Sequence, residues 1–163
     1  MNLFKRVPRW LLIATIGIVP VVIALVNSLR GGAILVGDRA VFALLVKDAA
    51  TGSFPSVGQY SWHGWNHPGA LIFYVFAPFH WLSGGAAWGL FVGVAVYSCA
   101  LLVAISWLGY RLRGIWGSAL GVAALLAYWV SVGRIASVDA WTPYSALPLF
   151  ILFLLAVLGV TER

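Results

Sequence analysis

Long apolar stretches separated by short polar segments dominate the chain. Four of them are long enough to cross a bilayer, which takes roughly 20 apolar residues. They cover residues 10–29, 86–110, 116–132 and 141–160. The pattern predicts an all-α integral membrane protein with about four transmembrane helices in a single membrane domain.

Two shorter helices are predicted in the long loop of residues 30–85, between the first two spans. Residues 68–82 are apolar and rich in aromatic side chains, which prefer the membrane interface. We interpret this segment as an interfacial helix, with a short fifth span as the alternative. A second interfacial helix is predicted at residues 38–50, ended by Gly52 and followed by an irregular loop at 53–66. The apolar residues that can share one face of this second helix are Val41, Leu44, Leu45 and Val46.

The composition supports a membrane protein and excludes several other classes. Of 163 residues, 63% are hydrophobic and 9% are charged, whereas a soluble domain carries roughly 25% charged residues. The net charge of +6 does not indicate nucleic-acid binding, because the basic residues lie at the ends of the apolar stretches. The single cysteine, Cys99, allows no intrachain disulfide.

The distribution of Lys and Arg predicts the orientation in the plasma membrane. Three basic residues precede the first span, and two more lie in the 110–114 loop. With four spans, both termini and this loop share one side, which should be cytoplasmic because basic loops stay inside. The loops at 30–85 and 133–140 then face outward. The basic N-terminus could also belong to a signal peptide, but the length of the following apolar stretch favours an uncleaved first span.

The first acidic residue of the chain, Asp38, follows the first span almost at once. Asp is a favoured helix N-cap, because its carboxylate accepts hydrogen bonds from unpaired backbone N–H groups. It could equally serve as a general base held at the membrane surface. Both roles are compatible with the sequence.

A second candidate site lies at the end of the same polar loop, where His63, Asn66 and His67 precede Pro68 and Gly69. Proline is favoured at the first position of a helix. A helix that starts here would present free N–H groups able to hold a phosphate. The alternative is an ordinary helix start with interfacial histidines. A metal site is not expected, since Gly64 and Pro68 prevent the two histidines from sharing a helix.

Asp139, before the last predicted span, is again either a helix cap or part of a binding site. Arg134 lies nearby and could pair with it or bind an anion. The sequence contains no nucleophile triad, phosphate-binding loop, dinucleotide fingerprint or zinc pattern. Charged residues are absent from the predicted spans, so an ion pathway through this chain alone is not expected.

These features together resemble the N-terminal module of GT-C membrane glycosyltransferases: an Asp after the first span, a surface helix, a loop, and a His-Pro step before an aromatic helix. The stretch YSWHGWNHPG at residues 60–69 is similar to the hallmark of uncharacterised actinobacterial membrane proteins in that superfamily. Many of these proteins also carry a motif similar to DPWNP before a later span. Residues 139–143, DAWTP, resemble a degraded form of it. The resemblance covers residues 10–160.

The resemblance implies a sugar transferase whose donor is a polyprenyl-phosphate sugar and whose acceptor is a hydroxyl on the outer face. It implies that Asp38 acts as the base, or positions the acceptor or a metal. We hypothesise that Asp38 is the base, that the Asn66–Gly69 helix start contacts the phosphate side of the donor, and that Arg134 is a further candidate for this contact. No cofactor is expected, and Arg39 stands where several relatives have Glu, which disfavours a divalent metal. Such enzymes usually have about twice as many spans, so a protein partner or a further C-terminal half is expected.

The competing hypothesis is a non-catalytic membrane subunit or scaffold of a larger complex. The small number of polar groups supports it, and several glycines could allow close helix packing. These glycines are Gly84, Gly85, Gly89, Gly93, Gly117 and Gly121. A transporter subunit is a third class, disfavoured by the absence of charge within the spans.

Overall fold

The fold is helical throughout the part of the chain that the computed structural model describes, residues 7–67, 69–133 and 135–161. Within these ranges no strand forms beyond an isolated bridge between Tyr60 and Asn66. The helices, in chain order, are α1 (Arg9–Arg30), α2 (Asp38–Thr51), α3 (Leu71–Leu82), α4 (Ala87–Val132) and α5 (Thr142–Thr161).

Three helices, α1, α4 and α5, are long and apolar enough to cross a membrane. Their most apolar windows have mean hydropathies of 2.4, 2.2 and 2.2. Large apolar side chains such as Ile16 and Phe153 are exposed on their surfaces, which indicates that lipid or another apolar partner covers them. The predicted class, an all-α membrane protein, is confirmed at this level.

The longest helix, α4, folds back on itself. Its 46 residues would extend about 69 Å if straight, more than twice the roughly 30 Å of a bilayer core. The helical geometry breaks at Arg113 (φ −139°, ψ 23°) and Gly114 (φ 62°, ψ −149°). The hydroxyl oxygens of Ser106 and Ser118 are 2.6 Å apart, although twelve residues separate them. The halves at 87–112 and 115–132 therefore form an antiparallel hairpin, whose turn coincides with the predicted 110–114 loop.

Small residues hold the helices of this bundle close together. A Cβ on Gly109 would lie 2.5 Å from the carbonyl oxygen of Gly117 in the other half of α4. A Cβ on Gly17 of α1 would lie 2.8 Å from Val122 and 3.1 Å from Leu102, so α1 packs against both halves. The most apolar window of α4 is 61% buried, compared with 22% for α1 and 11% for α5. The α4 hairpin is thus the centre of the bundle, and α5 is its most exposed member.

The helices α2 and α3 form a layer that is joined by aromatic packing and rests on the first half of α4, where Phe76 contacts Tyr97. Phe42 of α2 contacts Phe73 and Phe76 of α3, with ring centroids 5.1 and 5.8 Å apart. The indole N–H of Trp81 donates to the carbonyl of Ala50 at 2.8 Å, which ties the two helix ends together. The twelve residues of α3 rise about 18 Å, so α3 is too short to cross the roughly 30 Å core.

Two local predictions for this layer are wrong. The buried face of α2 consists of Phe42, Val46, Ala49 and Ala50. Val41 and Leu44 instead lie on the exposed side, because Phe42 inserts between the aromatic rings of α3 and sets the rotation of the helix. The start of α3 is at Leu71, not Pro68, because Gly69 has a left-handed φ of +88° that interrupts the helix.

Candidate functional site

The aromatic and histidine-containing part of the first loop forms a small hairpin, where an irregular loop was predicted. The N–H of Gly58 donates to the carbonyl of His67 at 2.7 Å, and the N–H of His67 donates to the carbonyl of Gln59 at 2.8 Å. Nearer the tip, the N–H of Ser61 donates to the carbonyl of Trp65 at 2.6 Å. Gly64 closes the turn with a φ of +90°, a conformation that glycine adopts readily. We call residues 58–67 the aromatic hairpin.

The tip of the aromatic hairpin presents its rings outward. Trp62 is 98% exposed, and Tyr60 and Trp65 are also largely exposed. His63 stacks on Trp65 with centroids 5.4 Å apart and planes 19° apart. Such exposed, flat aromatic surfaces are typical of interfaces with a membrane or with a ligand. The three predicted polar residues of this segment, His63, Asn66 and His67, are all exposed.

Among the described residues, no three His, Cys, Asp or Glu side chains gather in one place. His63 and His67 occupy the turn and the returning arm of the hairpin, so they do not share a helix. Gly69 is exposed and lies two residues before α3. The helix that was predicted to begin at Pro68 and hold a phosphate begins instead at Leu71.

Asp38 lies at the beginning of α2 and is joined to the aromatic hairpin. The side-chain amide of Gln59 donates to the backbone carbonyl of Asp38 at 2.6 Å. Gln59 is almost fully buried, so this contact fixes the base of the hairpin against the start of α2. Two regions that the sequence marks as separate candidates are thereby held next to each other.

The carboxylate of Asp38 is exposed and does not cap α2. Gly37 is the N-cap residue, and no side-chain hydrogen bond caps the helix. Within the described ranges, no backbone or side-chain group donates a hydrogen bond to this carboxylate. The N-cap interpretation is therefore wrong, although a negative charge in the first turn is still favoured by the helix dipole. The Asp38 side chain is exposed, and the positive charge of Arg39 lies close enough to act on it.

Arg39, the neighbour of Asp38, forms the strongest polar contact of this region. Its Nε and Nη2 donate to Oδ1 and Oδ2 of Asp139, both at 2.6 Å. This bidentate geometry fits the planar guanidinium to the carboxylate. The hydrogen bonds to Asp139 raise the pKa of the Arg39 guanidinium above its ordinary value, so it stays charged. Asp139 itself is only 1% exposed.

The loop that carries Asp139 is held firmly between α4 and α5. Val138 and Ala140 on either side of Asp139 are buried, and the hydroxyl of Ser98 donates to the carbonyl of Ser137 at 2.7 Å. Asp139 is therefore a positioning residue for Arg39, since both of its oxygens are already engaged. The described partner of Asp139 is Arg39. Arg134 lies outside the described residues, so its pairing with Asp139 stays a prediction.

A cleft of about 300 Å³ opens beside the Arg39–Asp139 pair. Asn27 and Ser28 from the end of α1 line it together with the pair, and Phe91 and Ile135 supply apolar walls. Pockets that hold small ligands range from about 300 to 1,000 Å³ and combine apolar walls with a few polar groups. The cleft can therefore take a small polar group beside an apolar one.

Sequence reasoning missed Arg39 and Gln59 as organisers of this site. Both are ordinary polar residues in the sequence, and only Arg39, next to Asp38, lay close to a predicted candidate. The first loop and the 133–140 loop meet here, as their common outward placement in the four-span topology would require. No protein-family model, curated protein or solved structure matches this chain.

Proposed function

We propose that this chain is part of a polyprenyl-phosphate-sugar-dependent membrane glycosyltransferase that transfers a sugar to an acceptor hydroxyl on the outer face. The observation that carries this proposal is the exposed Asp38 carboxylate, held at the start of α2 beside Arg39. A carboxylate free to accept a proton and a neighbouring fixed cation are the two groups that sugar transfer from a phosphate requires.

In the proposed reaction, the Asp38 carboxylate takes the proton of the acceptor hydroxyl as its oxygen attacks the anomeric carbon of the donor. The bond between that carbon and the phosphate oxygen breaks, and the polyprenyl phosphate leaves with the bonding electrons. Arg39 uses two of its five N–H donors on Asp139, so the remaining donors can stabilise the leaving phosphate.

The aromatic hairpin and its neighbours would bind the donor and acceptor. The stacked rings of His63 and Trp65 offer a flat surface of the size of a sugar ring. Asn66, His67 and Gly69 follow on the same exposed side of the loop and would supply polar contacts to the sugar or phosphate. Arg134 is the further candidate for the phosphate, from the loop that also carries Asp139.

The proposed topology has four crossings of the plasma membrane, formed by α1, the two halves of α4 and α5. Both termini and the turn at Arg113–Gly114 would be cytoplasmic, because basic residues flank these segments. The α2–α3 layer, the aromatic hairpin and the loop of Asp139 would then share the outer face. This is the arrangement in which Asp38, Arg39 and Asp139 lie where a lipid-linked donor is presented.

A non-catalytic membrane subunit is the second candidate, since the exposed α5 offers a surface on which a larger protein could pack. Only 11% of its most apolar window is buried, and Phe150 and Phe153 stack on the uncovered side. A partner that covers this side is compatible with both candidates. If the chain is part of a transferase, this partner would complete the enzyme. If the chain is a non-catalytic subunit, the partner would be the larger protein that it supports.

The decisive experiment compares Asp38→Asn with Asp48→Asn in proteoliposomes supplied with polyprenyl-phosphate sugars and any co-purifying chain. Both variants remove one carboxylate from α2 and leave an isosteric amide. Loss of a general base typically lowers the rate by about 10²–10⁴. We expect Asp38→Asn to abolish nearly all transfer and Asp48→Asn to retain it. Full activity of Asp38→Asn would refute the role of Asp38 as the general base. Absence of turnover with every donor would favour the non-catalytic subunit.

A further inference from the structure

A second cavity, of about 290 Å³, lies between α2, α3 and the first turn of α4. We call it the α2–α3 groove. Its walls are mainly apolar, and Leu44, Phe76 and Leu90 represent the three helices that form it. Among its lining residues, only Lys47 and His80 have side chains that can carry a charge.

Both of these side chains lie where an anion could reach them. Lys47 is exposed, and the ion pair found within the described ranges joins Arg39 to Asp139, so no described carboxylate neutralises Lys47. His80 is half-buried, and its Cε1 is 3.3 Å from the position that a Cβ on Gly85 would occupy. The absence of a side chain at Gly85 leaves the imidazole against the beginning of α4.

The position of the groove along α4 places it at a membrane boundary. One wall of the groove is formed by Ala86, Ala87 and Leu90. The apolar helix α4 begins at Ala87. A spanning helix enters the hydrocarbon core within its first turns, so this wall lies close to the level of the lipid head groups. A lysine at this level attracts anionic head groups and contributes about 1 kcal/mol.

We propose that the α2–α3 groove binds an anionic phospholipid of the surrounding membrane. The upper part of one hydrocarbon chain packs against the apolar walls, and the head-group phosphate contacts Lys47 and His80. The volume is at the lower limit of ligand pockets, about 300 Å³, so the groove takes part of a single chain. The remainder of the lipid stays in the bilayer.

This lipid site is separate from the proposed transfer site. Lys47 is nine positions after Asp38 in α2, a rise of about 13 Å along the helix axis. The exposed Asp38 carboxylate and the cleft beside Arg39 are not among the groups that form the groove. Lipid binding in the α2–α3 groove therefore does not depend on sugar transfer at Asp38. Either activity can be absent while the other is present.

The first test measures lipid retention by native mass spectrometry, with phosphatidylglycerol or phosphatidylcholine added to the detergent-purified protein. We expect phosphatidylglycerol to be retained preferentially and Lys47→Gln to lower its affinity about fivefold. Arg30→Gln is the matched control, since it removes one exposed positive charge from the end of α1 outside the groove. Equal retention of the two lipids, or equal loss in both variants, would overturn the proposal.

The second test blocks the groove without changing charge. Leu44→Trp places a larger side chain at a groove-lining position, whereas Val41→Trp makes the same kind of change one turn earlier, outside the groove. Both positions are exposed, so both variants should fold. We expect Leu44→Trp alone to reduce phosphatidylglycerol retention, and Asp38→Asn to leave it unchanged. Unaltered retention in Leu44→Trp would place the lipid elsewhere and refute the groove.

Discussion

Arg39 and Asp139 lie one hundred positions apart in the chain, and two hydrogen bonds of 2.6 Å join their side chains. The contact connects the start of α2 with the loop before α5. It thereby joins the layer of α2 and α3 to the bundle of long helices at the point where Asp38 is exposed. The pair also has unequal surroundings, since Asp139 is fully buried and the side chain of Arg39 is 36% exposed.

This difference in burial predicts that substitution of Arg39 destabilises the protein more than substitution of Asp139. Arg39→Met leaves a buried carboxylate without a partner, which typically costs about 3–5 kcal/mol. Asp139→Asn leaves a guanidinium that water can still reach, so we expect a loss of about 1–2 kcal/mol. Denaturant unfolding in detergent micelles measures both. The double variant Arg39→Met/Asp139→Leu should recover part of the loss, and equal destabilisation by the two single changes would contradict the burial of Asp139.

The hairpin of α4 predicts that Gly109 cannot be enlarged. A Cβ at this position would lie 2.5 Å from the carbonyl oxygen of Gly117, and the backbone cannot move aside as a flexible side chain can. We expect Gly109→Ala to destabilise the protein by about 1–3 kcal/mol, the range for overpacking. Thermal unfolding in detergent micelles measures this loss of stability. Gly159→Ala is the control, since the nearest atom, Cδ2 of Leu112, would be 3.5 Å away in ordinary contact.

The rotation of α2 predicts that alanine substitution destabilises the protein strongly at Phe42 and hardly at Leu44. Phe42 is fully buried against two aromatic rings of α3, so Phe42→Ala should cost about 3–5 kcal/mol. Leu44 is 59% exposed, so Leu44→Ala should change the free energy of unfolding by no more than about 0.5 kcal/mol. The same unfolding assay decides between them. A larger loss for Leu44 would mean that α2 buries the face containing Val41 and Leu44.

The proposed topology predicts which surface positions a membrane-impermeant thiol reagent can reach from outside intact cells. In a Cys99→Ala background, Trp62→Cys at the tip of the aromatic hairpin should be labelled. Arg111→Cys, just before the turn of α4, should be labelled only after the cells are opened. Both positions are exposed, so differences in labelling report the side of the membrane. The opposite pattern would invert the topology.

The long helices were predictable because the signal that specifies them is local. A run of about 20 apolar residues has to bury its backbone in helical hydrogen bonds wherever it lies in a membrane, whatever the remainder of the chain does. The break at Arg113–Gly114 was also visible, since basic residues and a glycine interrupt the apolar pattern. The end of α2 at Gly52, with a left-handed φ of +91°, follows from glycine's lack of a side chain.

The sequence by itself thus determined the helical class, the apolar segments and the polar loops in which chemistry could take place. Only the tertiary structure decided which of these polar groups meet. The pairing of Arg39 with Asp139 and the contact of Gln59 with Asp38 join residues far apart in the chain, and no local pattern encodes such distances. The exposed face of α2 was decided in the same way. Phe42 could be buried only where α3 offered aromatic rings to receive it, and that placement left Val41 and Leu44 on the exposed side.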